Sequence, residues 1–289
     1  MSMLTETGIA SMQICFYGAG SMAEAIARGL IHEKLIAPGK ISMLNRSNAD
    51  RLHELHERYG VQTVLQGSSN ERYLREADII FLAMKPKDAA EAVSAIAPLL
   101  SPNQLIVSVI AGLSIASLQQ LIGPVQPIVR TMPNTSSTIG LGATGISYSE
   151  QVTPQQRLVT EAMFQSIGIN AVVDESLQNA VVGVSGSGPA YVYFFMEAML
   201  KAAGDLGLAP DIAKDLVVQT VLGAAQMVKE TGESPEELRR KVTSPNGTTQ
   251  AAIESMTQAG LQEAIIKGML RSSERAAEIG AAIERSINE

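Results

Sequence analysis

Gln13-Ile14-Cys15-Phe16-Tyr17-Gly18-Ala19-Gly20-Ser21-Met22-Ala23 opens on a short apolar run, turns on two glycines and continues with Met22, Ile26 and Leu30 along one helical face. The order reads as strand, tight turn, helix. Gly18 permits the turn, Gly20 removes a side chain where backbone must approach a pyrophosphate, and Ala23 replaces a third glycine where helix and strand pack closely. The helix start then offers free N–H groups and a positive dipole end to phosphates. Tyr17, Gly18, Ala19, Gly20, Ser21 and Met22 are therefore the first candidate cofactor-binding residues.

Moving outward, the second strand-like run, Lys40-Ile41-Ser42-Met43-Leu44, is followed by Asn45-Arg46-Ser47 rather than by an acidic residue. An Asp or Glu there would hold a ribose 2′-hydroxyl and repel a 2′-phosphate. Arg46 can instead pair with that phosphate and stack on adenine, while Asn45 and Ser47 offer neutral hydrogen bonds. This favours NADPH. The alternative is that Arg46 is a solvated loop charge and the site also takes NADH.

Further runs at Ile79–Ala83, Leu105–Ile110, Pro127–Arg130, Ala143–Ser147 and Ile169–Val173 alternate with helical patterns, which predicts a doubly wound, mostly parallel Rossmann-like sheet covered on both faces. After residue 174 the texture changes. Pro189–Leu206, Pro210–Thr231 and Leu261–Ile287 read as long helices, and Ser234-Pro235-Glu236-Glu237 as a capping box. The expected organisation is a loose N-terminal extension over 1–11, a dinucleotide-binding α/β domain over 12–174 and an all-helical domain over 175–289. The apolar faces around Val217, Val221, Leu222, Phe194, Phe195 and Met199 are too broad for one partner in so small a domain, so a second subunit is expected to cover them.

The chain has 289 residues, 46% of them hydrophobic, enough for a well-buried core. Its net charge of -7, without a Lys/Arg cluster, argues against nucleic acid as the main partner. Cys15 stands alone inside the first strand, which suits a reducing cytoplasm. Neither a targeting segment nor a membrane anchor is read from the sequence.

All three histidines, His32, His53 and His56, fall in the first domain. His53 and His56 have a spacing able to hold a metal, but no third ligand accompanies them and a solvated helix face is the simpler reading; no metal is expected. Without a histidine in the helical domain or a Cys–His pair, chemistry that needs a strong positioned base has no candidate. Hydride transfer to an activated carbon needs none.

Far from the fingerprint, Ser244-Pro245-Asn246-Gly247-Thr248-Thr249 leads into the helical pattern Ala252, Ile253, Met256. A Ser/Thr/Gly turn opening a helix presents N–H donors and hydroxyls to an anion. An ordinary N-cap is the competing reading, although a cap needs one such residue and here Ser244, Thr248 and Thr249 converge on Gly247.

The fingerprint, Phe81-Leu82-Ala83-Met84-Lys85-Pro86, Arg130-Thr131-Met132-Pro133-Asn134-Thr135, Ser185-Gly186-Ser187-Gly188-Pro189-Ala190-Tyr191 and the Ser244–Thr249 turn together resemble the pyrroline-5-carboxylate reductases, over almost the whole chain after the extension. The resemblance implies reduction of the cyclic imine 1-pyrroline-5-carboxylate to L-proline with NAD(P)H, the last step of proline biosynthesis. By that likeness Gly247, Thr248 and Thr249 bind the carboxylate through backbone N–H groups with Ser244 assisting, and Thr249 places its hydroxyl at the ring nitrogen. Glu175 matches a position near the substrate, where it either steadies an iminium or is a solvated hinge residue. Ala83, Met84, Lys85 and Pro86 contact the nicotinamide ribose, Asn70 lies near the adenosine, Val109, Ile110 and Ala111 line the nicotinamide site, and Met132, Pro133 and Asn134 close its other side. Lys85 is otherwise a loop charge, and Met132 core packing. The family forms homodimers and larger rings of dimers. Asn246 departs from it, standing where glycine is frequent.

Two other classes compete. β-Hydroxyacid dehydrogenases share the layout and a glycine-rich segment like Gly183–Gly188, but the likeness would require a Lys and an Asn where this chain has Val192 and Met196. A non-catalytic NADPH-binding metabolite sensor would share fold and cofactor site without turnover.

Overall fold

The structure, a computed structural model, describes residues 8–66 and 71–288. Its apolar runs form β1 (Ile14–Tyr17), β2 (Ile41–Asn45), β3 (Gln62–Leu65), β4 (Ile79–Leu82), β5 (Leu105–Ser108), β6 (Ile128–Met132), β7 (Gly142–Tyr148) and β8 (Gly168–Val172). They join in one sheet of order β3-β2-β1-β4-β5-β6-β7-β8. All neighbours are parallel except β6 and β7. Helices α1 (Ser21–His32), α2 (Ala49–Tyr59), α3 (Glu71–Glu76), α4 (Ala89–Ile96), α5 (Ile115–Ile122) and α6 (Pro154–Gln165) connect the strands.

Alternation along β1 explains why both faces are apolar. Ile14 and Phe16 join Ile26 and Leu30 of α1 in one core cluster, whereas Cys15 and Tyr17 join Val93 of α4 and Leu118 of α5 in another. Phe16 stacks on Phe81 of β4 with ring centroids 4.6 Å apart. Burial pushes the Cys15 thiol up to about 12, with a hydrogen bond from Ser42 pulling weakly the other way, so it stays a neutral packing group.

Two sequence expectations need correction, and one strand carried no sequence signal. The extension does not reach Ser11: Ile9 is fully buried in the first cluster and Lys40 Nζ donates to Ser11 O at 2.8 Å, so the packed chain begins before the expected boundary. β3 was not foreseen, because it is an edge strand whose Gln62 and Thr63 are half-buried and so lacks an apolar run. The capping box at Ser234 is half formed: Ser234 accepts from Glu237 N, but the Glu237 carboxylate turns to Arg240 Nε at 3.2 Å. A complete box stands instead at Thr153 and Gln156, opening α6.

After β8 the chain is helical: α7 (Gln178–Val181) running into a π-helical turn at Val182–Gly186, then α8 (Gly188–Asp205), α9 (Pro210–Thr231), α10 (Pro235–Lys241), α11 (Thr248–Gln258) and α12 (Leu261–Asn288). By compactness the chain divides elsewhere than at 174, into Met1–Ser187 with Arg271–Glu289, and Gly188–Leu270. The reason lies in α12, whose second half belongs to the first unit: Ile283 enters the second core cluster, and Asn288 Oδ1 accepts from Gln120 Nε2 of α5 at 2.7 Å.

In the Gly188–Leu270 unit few side chains are buried; Ala203, Ala213 and Val217 are among them. Phe194, Tyr193, Leu222 and Ile265 are exposed, and Phe194 and Ile265 belong to the lining of an apolar groove of about 690 Å³ between α8, α9 and the start of α12. Among the described residues no helix is long and apolar enough to cross a membrane.

Candidate functional site

Parallel register sets one row of strand ends across the sheet. Tyr17 pairs with Leu44 on one side and Leu82 on the other, and Leu82 with Ser108. The next residues, Gly18, Asn45, Ala83 and Val109, therefore share one rim, tied by Gly18 N to Leu44 O at 3.0 Å, Ala83 N to Tyr17 O at 3.0 Å and Val109 N to Leu82 O at 3.1 Å. This is the carboxyl edge where β2 and β4 flank β1, the place where open α/β sheets bind nucleotides.

The two fingerprint glycines are needed for different reasons. Gly18 has φ of +119°, and a Cβ there would lie 2.2 Å from Ala83 O, so no other residue fits between the strands. At Gly20 a Cβ would meet nothing within 4 Å: the protein leaves that space open. Gly20 is also the N-cap of α1, and no side chain among the described residues caps that helix. An unfilled cradle at an uncapped helix start suits a pyrophosphate. Ala19 and Ala23 are buried, Ser21 is exposed and Met22 packs on the first core cluster. Tyr17 contributes backbone only, since its side chain is buried in the second cluster, where burial followed by the nearby Cys15 and Glu91 raises its phenol above the usual range.

On the rim beyond β2, Asn45 is committed to the turn: its Oδ1 accepts from Ser47 N at 3.1 Å and Asn48 N at 3.0 Å. Arg46 and Ser47 are exposed, and Arg46 Nη1 lies 3.7 Å from Asp88 Oδ1. Asn70 falls outside the described residues. Beyond β4, Ala83 and Met84 are half-buried, Lys85 is exposed and Pro86 begins a short 3-10 turn. Beyond β5, Val109 and Ala111 are half-buried and Ile110 is in the core.

Past β6, Met132 lies close under the π-helical turn: a Cβ on Gly186 would stand 3.1 Å from Met132 Cε. Pro133 is buried. Asn134, also buried, spends its amide on structure, donating from Nδ2 to Ser185 O at 3.0 Å and accepting at Oδ1 from Ala143 N at 3.2 Å. Glu175 does likewise. Its Oε1 accepts from Ile115 N at 2.7 Å and from Arg130 Nη1 at 3.1 Å, tying the start of α5 to β6. Sequence reading missed Arg51, whose Nε donates to Ala19 O at 3.4 Å and whose guanidinium pairs with Glu24 and Glu54. Its only sequence signal was its place on the first turn of α2.

In the helical unit, α11 begins at N-cap Gly247, and no side chain among the described residues caps it. The plain N-cap reading of the turn is therefore not what the structure shows. Ser244 Oγ would be only 2.6 Å from a Cβ on Gly247, so glycine lets that hydroxyl lie against the helix start. Ser244, Thr248 and Thr249 are exposed. Asn246 has φ of +57°, a left-handed conformation that asparagine tolerates and glycine prefers, which accounts for the departure at this position. Gln250, unforeseen, accepts from Asn246 N at 2.7 Å through Oε1 and fixes the turn.

No group of three or more His, Cys, Asp or Glu able to hold a metal occurs among the described residues. His56 Nδ1 lies 2.9 Å from Val61 O, at the end of α2.

The family model described as "NADP oxidoreductase coenzyme F420-dependent" matches residues 13–112, and that described as "Pyrroline-5-carboxylate reductase dimerisation" matches residues 175–279. The chain is 42% identical over 278 residues to pyrroline-5-carboxylate reductase 2 of Bacillus subtilis, covering 94% of this chain and 99% of that one. A solved pyrroline-5-carboxylate reductase from Coxiella burnetii superposes with a TM-score of 0.85 at 36% identity, over 93% of this chain and 98% of that one. The Plasmodium falciparum pyrroline carboxylate reductase, solved with NADP bound, gives a TM-score of 0.85 at 28% identity, over 94% and 100%.

Proposed function

The chain belongs to the pyrroline-5-carboxylate reductase family and reduces 1-pyrroline-5-carboxylate to L-proline with NAD(P)H, and we propose that two uncapped helix starts, at Gly20 and Gly247, hold the two reactants. The cofactor supplies the hydride; the chain's residues bind, orient and shield. The N–H groups at the start of α1 hold the pyrophosphate, with the space above Gly20 admitting it. Arg46 pairs with the 2′-phosphate, which favours NADPH. Ala83, Met84, Lys85 and Pro86 meet the nicotinamide ribose, and Val109, Ile110, Ala111, Met132 and Pro133 form the nicotinamide walls. Asn45, Asn134 and Glu175 act one step back, holding the turns that carry these residues.

For the substrate, the backbone N–H groups of Thr248 and Thr249 bind the carboxylate with Gly247 and Ser244, and Thr249 directs its hydroxyl at the ring nitrogen. A protonated imine is already electrophilic, so alignment is the main catalytic requirement and no strong base is needed. The observation that carries this reading is the α11 start: three hydroxyl residues stand there, yet no side chain caps the helix. Assaying NADPH oxidation with pyrroline-5-carboxylate and NADP⁺ reduction with 3-hydroxy acids tests it. Turnover of the imine alone is expected; turnover of the hydroxy acid alone would favour the dehydrogenase reading, and cofactor binding without turnover the sensor.

The exposed groove of the helical unit supports a homodimer formed through α8, α9 and α12, within the cytoplasm that the reduced, buried Cys15 suits. A monomer by light scattering at micromolar concentration would remove the dimer.

A further inference from the structure

β2 and β4 lie on opposite sides of β1, so the segments after them are separated by two strand spacings, about 10 Å. Arg46 follows β2 and Asp88 follows β4, yet Arg46 Nη1 comes within 3.7 Å of Asp88 Oδ1. The pair thus reaches across the crevice at the end of β1, above the Gly18–Gly20 turn.

The Arg46 contact turns Asp88 toward this crevice. It closes the 3-10 turn Pro86–Asp88, which runs directly into α4, and its carboxylate makes no bond to the start of that helix. Its carboxylate is turned to Arg46 instead. The side chain of Asp88 is one-third exposed and that of Arg46 three-quarters exposed, so the contact is weak and breakable.

We infer that Asp88 is a specificity-determining residue that tempers the preference for NADPH by competing for Arg46. This rests on the reading of Arg46 as the partner of the 2′-phosphate. A phosphate monoester carries nearly two charges and three acceptor oxygens, so it takes the guanidinium from a single carboxylate. Asp88 is then left without its cation beside a like-charged group, well within a screening length. Both effects weaken binding of the 2′-phosphorylated cofactor. NADH carries a hydroxyl in that place and is affected by neither.

The test measures dissociation constants for NADPH and NADH from nucleotide fluorescence, and for 2′,5′-ADP and 5′-AMP by titration calorimetry, in the full-length protein and three variants: Asp88→Asn, Arg46→Ala and the double variant. Asp88→Asn is expected to tighten NADPH and 2′,5′-ADP about three- to tenfold, leaving NADH and 5′-AMP within about twofold. The gain shrinks in the Arg46→Ala background, where only the repulsion is left to relieve; a gain undiminished there overturns the competition. Unchanged NADPH affinity, or equal gains for both cofactors, overturns the competition while leaving the Arg46 reading standing. Arg46→Ala that leaves the NADPH/NADH ratio unmoved overturns the Arg46 reading and this inference with it. Should Asp88→Asn melt at a markedly lower temperature, Asp88→Ser, which likewise removes the charge, carries the same expectations.

Discussion

The two compact units differ in how they use their apolar residues. In the first, β1 is buried on both faces and its clusters close on helices from the same unit. In the second, α8 has one buried residue over its whole length, Ala203, while Phe194 is 76% exposed and Leu206 83% exposed. Large apolar side chains left so exposed suit contact with a partner. A sheet domain that binds a nucleotide can complete its core alone; a pair of long helices with apolar residues around most of their circumference cannot.

The contrast is broken most directly at Phe194. Phe194→Asp is expected to cost about 3–4 kcal/mol of association, as a central aromatic does, and to shift the protein to monomer in light scattering. An unaffected oligomer would mean that this face is not the contact. In the self-contained unit the corresponding change acts on folding: Gly18→Val, at positive φ and against Ala83 O, should lower stability by about 3 kcal/mol, read as a fall in Tm. Gly20→Ala, with open space around it, should leave Tm alone and weaken NADPH binding. Equal behaviour of the two glycines would remove the distinction between packing and ligand space.

Smaller effects sharpen the roles of particular groups. Thr249→Ala should lower kcat about thirtyfold, roughly 2 kcal/mol of barrier, with little change in NADPH affinity; unchanged kinetics would contradict a hydroxyl at the ring nitrogen. The smallest expected effect is at Glu24. Its carboxyl is partly buried, which by itself raises the pKa, but hydrogen bonds from Arg51 and Tyr59 and the charges of Arg51 and Arg58 outweigh burial and hold it below the ordinary 4.5. A depressed carboxyl stabilises the fold above its unfolded pKa and loses that contribution as pH falls through the folded value. Glu24→Gln should therefore cost under about 1 kcal/mol at neutral pH and flatten the loss of Tm between about pH 5 and the acid limit. A parallel acid profile would show that the cluster adds nothing.

What could be read from sequence follows from the range of the physics. Buried parallel strands are continuous apolar runs, so β1, β2, β4 and β5 announce themselves, and Pro210 and Gly232 bracket α9 at its observed ends. The edge strand β3 carries no such signal. Both glycine turns were legible because each depends on neighbouring residues. Glu175 was not: its partners, Ile115 and Arg130, stand 60 and 45 positions away, and only the fold brings them to one carboxylate. The same holds for Asn134 and Ser185, and for the second half of α12, whose periodicity says that Ile283 is buried without saying in which unit.

On the proposed reading, the uncapped turn at Ser244–Thr249 receives the ring acid. A crystal structure of the protein with NADP⁺ and L-proline tests it most directly. The account predicts proline carboxylate density on the backbone N–H groups of Thr248 and Thr249; proline bound in another cavity, with that turn empty, would contradict it.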